Sequence, residues 1–324
     1  MAYNSGDSVY KVFVDGQEGT TGLQIRERLL GHGAVALIEI DPDKRKDSTE
    51  RQRLLNEADV SFLCLPDAAA KESAALVTNA RARLIDASTA HRTDPSWTYG
   101  LPELDREQRT RIRSAKRVAN VGCHAVGFIL LVHPLVAAGI LPKDYPVTCH
   151  SLTGYSGGGR KMIAEYEAQG RPRFPVGAPR HYALAMHHKH VPEMQKFSGL
   201  GFRPLFNPIV GDFYKGMAVT VDLESRLLAR KASAGDVHSH LAEYYSGERF
   251  VKVMPFDDAS NLRDGYFDPL GSNDTNRNDI FVFGDGEQIA LFSRLDNLGK
   301  GASGSAVQNM NIMLGLDEGK TLGG

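Results

Sequence analysis

A glycine-rich corner near the N-terminus restricts this chain's fold more than any other feature. The apolar run Lys11 to Asp15 (KVFVD) stops at Gly16, and Gly16-x-x-Gly19-Thr20-Thr21-Gly22 leads directly into a helical pattern, LQIRERLL. Strand, glycine loop and helix in that order place backbone amides and the positive end of a helix dipole where a pyrophosphate binds. Three further apolar runs follow, separated by helix-like stretches: AVALIEID, closing on Asp41; DVSFLCLP, Asp59 to Pro66; and RLIDAS, Arg83 to Ser88. They are apolar nearly throughout, as strands covered on both faces are. The alternation predicts an α/β fold with a doubly wound parallel sheet.

Past about residue 145 the rhythm changes. PVTCHSL, HHKHVPEM, MAVTVDLES, FVKVMP, DIFVFGDG and QIALFSRLD read as strands, with helical patterns only near Arg160 to Gln169 and Ala234 to Tyr245. This half is expected to be a mixed α+β domain, largely antiparallel, and the tail GASGSAVQNMNIMLGLDEG is expected to be a helix. A length of 324 residues suits two domains.

Charge and cysteine content narrow the function classes. Lys plus Arg (38) and Asp plus Glu (39) leave a net charge of -1, so no global field attracts nucleic acid or an anionic membrane. Three widely spaced cysteines, Cys64, Cys123 and Cys149, fit neither a disulfide framework nor a paired zinc motif, which favours a reducing, cytoplasmic setting. The polar start, Met1 to Ser8, lacks the apolar core of a signal peptide, and the apolar stretch Ala125 to Leu141 is too short and broken to span a bilayer.

Several residues could carry chemistry. Asp41, at the end of the second run, suits a free ribose 2′-hydroxyl, whereas Lys44, Arg45 and Lys46 immediately after it suit a 2′-phosphate. The residues leave that choice open. Cys123 follows Asn120-Val-Gly and precedes a long apolar helical pattern, so the helix N-terminus should favour its thiolate; Cys64 and Cys149 read as buried small hydrophobes. In His188-Lys189-His190-Val-Pro-Glu193 an extended chain would put His188 and His190 on one face, as an acid/base pair or as structural histidines. Ser156-Gly157-Gly158-Gly159-Arg160 joins an anion-cradling backbone to a guanidinium, and Arg92 follows the fourth run where open sheets bind ligands. The loop from Leu298 to Ala306 is glycine-dense and opens a helix.

As an ordered set these segments resemble the N-acetyl-gamma-glutamyl-phosphate reductases of arginine biosynthesis, in their shorter type, within the aspartate-semialdehyde dehydrogenase-like superfamily. The resemblance covers nearly the whole chain: GxxGTTG, DASTAHR, YGLPEL (Tyr99 to Leu104), N-x-G-C (Asn120 to Cys123), GYSGGGR, HKHVPE and DNLGKGASGSAVQNMN. Where the family usually reads N-P-G-C-Y-P-T, this chain has Asn-Val-Gly-Cys-His124-Ala-Val, and H-K-H stands for the usual H-R-H.

The resemblance implies a Rossmann-type domain over 1–122, a glyceraldehyde-3-phosphate dehydrogenase-like catalytic and oligomerisation domain over 123–299, and a C-terminal helix in 300–324 packed back on the first. It implies NADP(H)-dependent reduction of an N-acetylglutamyl acyl phosphate through a cysteine thioester; aspartate-semialdehyde dehydrogenase or another acyl-phosphate reductase is the alternative. Cys123 and His190 would be catalytic, with His188 in reserve. Arg92, Ser156, Gly157, Arg160 and Glu193 would meet substrate. Gly16, Gly19, Thr20, Thr21, Gly22, Lys44, Arg45, Ser88, Asn297, Lys300 and Gly301 would meet the coenzyme. No metal is expected. The partners would be a small-molecule substrate and further copies of the chain, as a dimer or tetramer.

Overall fold

In the computed structural model, which describes residues 9–17, 19–168, 170 and 177–324, the chain divides into two compact units. The first runs up to Gly100 and adds Thr110–Asn120 and Ala306–Leu322; the second holds Leu101–Arg109, Val121–Ser305 and Gly323–Gly324.

The first unit carries six strands, β1 (Tyr10–Asp15), β2 (Val35–Ile38), β3 (Val60–Leu63), β4 (Arg83–Asp86), β5 (Thr98–Gly100) and β6 (Arg117–Asn120), in the order β2-β1-β3-β4-β6-β5. Every pairing is parallel. The strand order reverses around β1, so the crevice at a switch point lies beside Gly16. Phe13, Leu54, Leu55, Leu63, Leu84 and Trp97 belong to one buried cluster behind the sheet. Strands β5 and β6 go beyond the four apolar runs read from sequence, and β5 is built from the Tyr99-Gly100 start of YGLPEL.

The second unit is a mixed seven-stranded sheet: β7 (Thr148–Gly154), β8 (Arg180–His181), β9 (Leu205–Gly211), β10 (Met217–Glu224), β11 (Val251–Val253), β12 (Asn278–Gly284) and β13 (Gln288–Leu295). Its order is β11-β12-β13-β10-β7-β9-β8, with β7/β9 and β11/β12 parallel and the other pairs antiparallel. The helix Cys123–Ala137 packs on β10 and β13. Gly127 permits that approach, because a Cβ there would lie 2.6 Å from Val219 Cγ2.

Two expectations change. HHKHVPEM is not a strand: the histidines form a turn, and Val191–Ser198 is a helix with Pro192 in its first turn, where proline's fixed φ suits helix initiation. The boundaries also differ from 1–122 and 300–324. Leu101–Arg109 and residues 300–305 both fall in the second unit, where a buried Glu103–Lys300 ion pair ties them together.

Candidate active site

Cys123 is the first residue of a fifteen-residue helix that is apolar around nearly its whole circumference. Gly122, extended at φ −91° and ψ 145°, is the N-cap and supplies no side-chain cap, so the first-turn amides and the helix dipole act on the Cys123 sulfur. Glu193 is fully buried, and its carboxylate accepts the Gly122 N–H at 3.2 Å, which fixes the corner. On the other side of the thiol, a Cβ on Gly301 would come 2.7 Å from Cys123 Cβ, so only glycine fits there.

Sγ of Cys123 and one ring nitrogen each of His124 and His190 lie within 4.8 Å of one another. His190 is buried as the N-cap residue of Val191–Ser198, and its N–H donates to His188 Nδ1 at 3.2 Å. The His188 and His190 rings meet edge to face at 4.8 Å, so a turn brings the pair together without an extended strand. His124 is held between Ser151 Oγ (2.7 Å from Nδ1) and Tyr182 Oη (2.8 Å from Nε2). Burial, with His188 and Lys189 adding positive charge nearby, lowers the His124 pKa to about 3, so the ring is neutral. Although three such ligand-type groups could grip a metal ion, both His124 nitrogens already have hydrogen-bond partners.

Cys123 is half-exposed at its helix end, Cys64 is also partly exposed at the residue level, and Cys149 is buried. Burial pushes the Cys64 and Cys149 thiols far up, with the carboxylates of Asp86 and Asp15 adding to the effect at Cys64 and Asp222 at Cys149.

In the first unit the glycine corner has the geometry of a phosphate cradle. Gly16 adopts φ +88°, and a Cβ on it would lie 2.3 Å from Cys64 O; a Cβ on Gly22 would lie 2.4 Å from Gly16 O. The helix Thr20–Leu29 starts at Gly19 with no side-chain cap, so among the described residues its first-turn amides at Thr20, Thr21 and Gly22 suit an anion. Asp41 caps the turn Pro42–Lys44 by accepting the Asp43 N–H at 3.0 Å, while Lys44 and Arg45 are exposed beside it. These residues fit a dinucleotide, and the two cations suit a 2′-phosphate.

The semialdehyde dehydrogenase dimerisation domain matches residues 123–297, and the semialdehyde dehydrogenase NAD binding domain matches residues 39–112. N-acetyl-gamma-glutamyl-phosphate reductase 2 of Nostoc sp. is 48% identical over 317 residues, covering 95% of this chain and 98% of its own. The chain belongs to the N-acetyl-gamma-glutamyl-phosphate reductase family. Members from Pseudomonas putida and Rhizobium meliloti are each 46% identical over 94% of this chain, covering 96% and 98% of their own lengths. In fold it is similar to aspartate semialdehyde dehydrogenase from Francisella tularensis (TM-score 0.72, 14% identity, 94% of this chain and 100% of that one). The Vibrio cholerae aspartate semialdehyde dehydrogenase II gives a TM-score of 0.70 at 15% identity over 95% of this chain and 98% of its own.

Within this family member, several residues expected to touch ligand are instead engaged by the protein. Lys300 has no exposed surface and its ammonium sits on Glu103, so its side chain is not presented to a coenzyme. Asn297 donates to Ser156 Oγ at 3.0 Å and accepts the Gly216 N–H at 2.9 Å; these bonds join two motifs that sequence reading had assigned to different ligands. Arg92 is buried and donates to the carbonyls of Asn120 and Ala87, bracing the main chain. The Ser88 hydroxyl donates to Asp86 Oδ2 at 2.8 Å, and the same carboxylate oxygen meets His91 Nδ1 at 2.6 Å. Asp86 thus organises DASTAHR, a role absent from the sequence reading. Gly157 and Arg160 are exposed, Arg160 in the first turn of the helix Gly159–Glu167. His124, Ser151 and Tyr182 were missed altogether, because nothing local in the sequence links residues from a helix, a strand and a loop.

Proposed function

We propose that this protein reduces N-acetyl-L-glutamyl 5-phosphate to N-acetyl-L-glutamate 5-semialdehyde and phosphate with NADPH, as a step of arginine biosynthesis. The observation that carries the reading is Cys123, a half-exposed thiol at a helix N-terminus without a side-chain cap, with imidazole nitrogens within 4.8 Å.

In this reading His190 takes the Cys123 proton, and the thiolate attacks the acyl carbonyl. The tetrahedral oxyanion collapses, the C–O bond to phosphate breaks, and His190 returns its proton to the departing phosphate, leaving a thioester. Amides at the start of the Cys123–Ala137 helix stabilise the oxyanion. NADPH, when bound, supplies the hydride that reduces the thioester carbonyl. The C–S bond then breaks to release aldehyde and restore the thiolate, which is reprotonated. Arg160, Ser156 and Gly157 are assigned to the substrate's anionic end. Gly16, Gly19, Thr20, Thr21 and Gly22 cradle the coenzyme pyrophosphate, and Lys44 and Arg45 its 2′-phosphate. The glutamyl role of Glu193 is to hold the Gly122 corner rather than to bind substrate.

The match to a dimerisation domain supports a homo-oligomeric enzyme, and three cysteines outside any disulfide suit the cytoplasm. Phosphate-dependent NADP reduction is the test. N-acetylglutamate semialdehyde should be turned over at least a hundred-fold faster than aspartate semialdehyde; a reversed preference would transfer the protein to the other dehydrogenase.

A further inference from the structure

We infer that Tyr182 is a further catalytic residue, a hydrogen-bond donor to the oxyanion formed at Cys123, and that Ser151 and His124 position it. The inference adds to the thioester reading, which assigns oxyanion stabilisation to the helix amides alone.

The argument begins at Ser151. This β7 residue has no exposed surface, and among the described residues its hydroxyl has one hydrogen-bond partner, His124 Nδ1, at 2.7 Å. A buried hydroxyl proton without an acceptor is unfavourable, so the Ser151 O–H donates and Nδ1 accepts. His124 is a neutral ring, buried at the positive end of a helix and close to His188 and Lys189. A neutral imidazole that accepts at Nδ1 must carry its hydrogen on Nε2. Nε2–H therefore donates to Tyr182 Oη at 2.8 Å.

This fixes the direction of the chain: Ser151 to His124 to Tyr182. Tyr182 receives one hydrogen bond and still holds its own phenolic hydrogen. Its location points to a recipient. His124 is covalently next to Cys123 and shares the 4.8 Å cluster with its sulfur, so Tyr182 Oη lies one hydrogen bond beyond that cluster. Burial, with the charge of Cys123 adding to it, pushes the Tyr182 pKa up and keeps the phenol protonated. The loop behind it is strained: Ala183 (φ 54°) and Met186 (φ 60°) both occupy the left-handed region without being glycine. Such strain persists where the surroundings over-determine a functional conformation.

Two reactions of Cys123 that need no physiological substrate separate this role from others. Acylation by p-nitrophenyl acetate passes through a tetrahedral oxyanion: the thiolate adds to the carbonyl, p-nitrophenolate leaves and an acetyl thioester remains. Alkylation by iodoacetamide displaces iodide without forming an oxyanion. Tyr182→Phe should slow the acylation burst about 100-fold, the usual effect of removing one oxyanion donor, while alkylation stays within about two-fold of wild type. Ser151→Ala should slow acylation several-fold in the wild-type background and not at all in the Tyr182→Phe background; alone, it also carries the test if Tyr182→Phe does not fold. An unchanged burst in these variants, or equal losses in acylation and alkylation, overturns the inference. Because neither probe is an N-acetylglutamyl compound, an error in the physiological substrate leaves this test intact.

Discussion

Lys300 Nζ lies 2.8 Å from each carboxylate oxygen of Glu103, with neither side chain exposed. The pair joins YGLPEL to the π-helical turn Gly299–Ser303, whose Gly301 abuts Cys123. The ion pair thus supports the turn that abuts the Cys123 corner from within the fold.

Breaking that pair should be severe. Glu103→Leu leaves a buried ammonium without its carboxylate and should cost about 3–5 kcal/mol of stability. Lys300→Met should be milder, since Arg109 stands 4.0 Å from Glu103. The double variant should recover most of the loss, because two apolar groups replace two compensated charges. Urea denaturation of the three variants checks the order; a double variant no better than Glu103→Leu would contradict it.

Cysteine chemistry should be confined to one residue. Cys123→Ala should abolish turnover while retaining coenzyme binding, whereas Cys64→Ala and Cys149→Ala should stay active. Near neutral pH iodoacetamide should label Cys123 first, since burial holds the other two thiols protonated. Peptide mass spectrometry after brief labelling measures this directly.

Acid should destabilise the protein through His124. Its folded pKa, about 3, lies below the ordinary 6.5, so the unfolded chain binds the extra proton between those values. The contribution is complete above pH 6.5 and is lost as pH falls towards 3, at up to about 1.4 kcal/mol per pH unit. Between pH 7 and pH 5, His124→Asn should lose less stability than wild type, by about 1–2 kcal/mol. Equal pH dependence in the two proteins would show that His124 does not titrate on unfolding.

Coenzyme preference should depend on the exposed cations after β2. NADPH should be used at least about ten-fold better than NADH, as one charge-assisted phosphate contact of 1.5–3 kcal/mol implies. Lys44→Ala with Arg45→Ala should erase most of that preference in kcat/KM while leaving NADH kinetics nearly unchanged. Asp41 is not the obstacle it resembles in sequence, because its carboxylate caps the Asp43 amide.

What was legible in the sequence is what local order dictates. Continuous apolar runs announced the parallel strands, and glycine spacing announced the corner at Gly16. A cysteine between glycine and an apolar helix announced Cys123. The histidine segment was misread because β-like residues outweighed Pro192, which starts a helix. The role of Lys300 was hidden for another reason: its partner lies 197 positions away, and a lysine in a glycine loop resembles a ligand contact until its counter-charge is seen. His124, Ser151 and Tyr182 meet only in three dimensions.

The first unit is assembled from segments at both extremes of the chain. Residues Ala306–Leu322 belong to it, with Asn309 donating to the Gly100 carbonyl and to Asn120 Oδ1, and Asn311 meeting His32. During synthesis, the first unit therefore waits with those positions unfilled until residues 306–322 have emerged, although its strands emerge first. A chain cut before residue 306 would carry every strand of the first unit and still leave that unit unfinished.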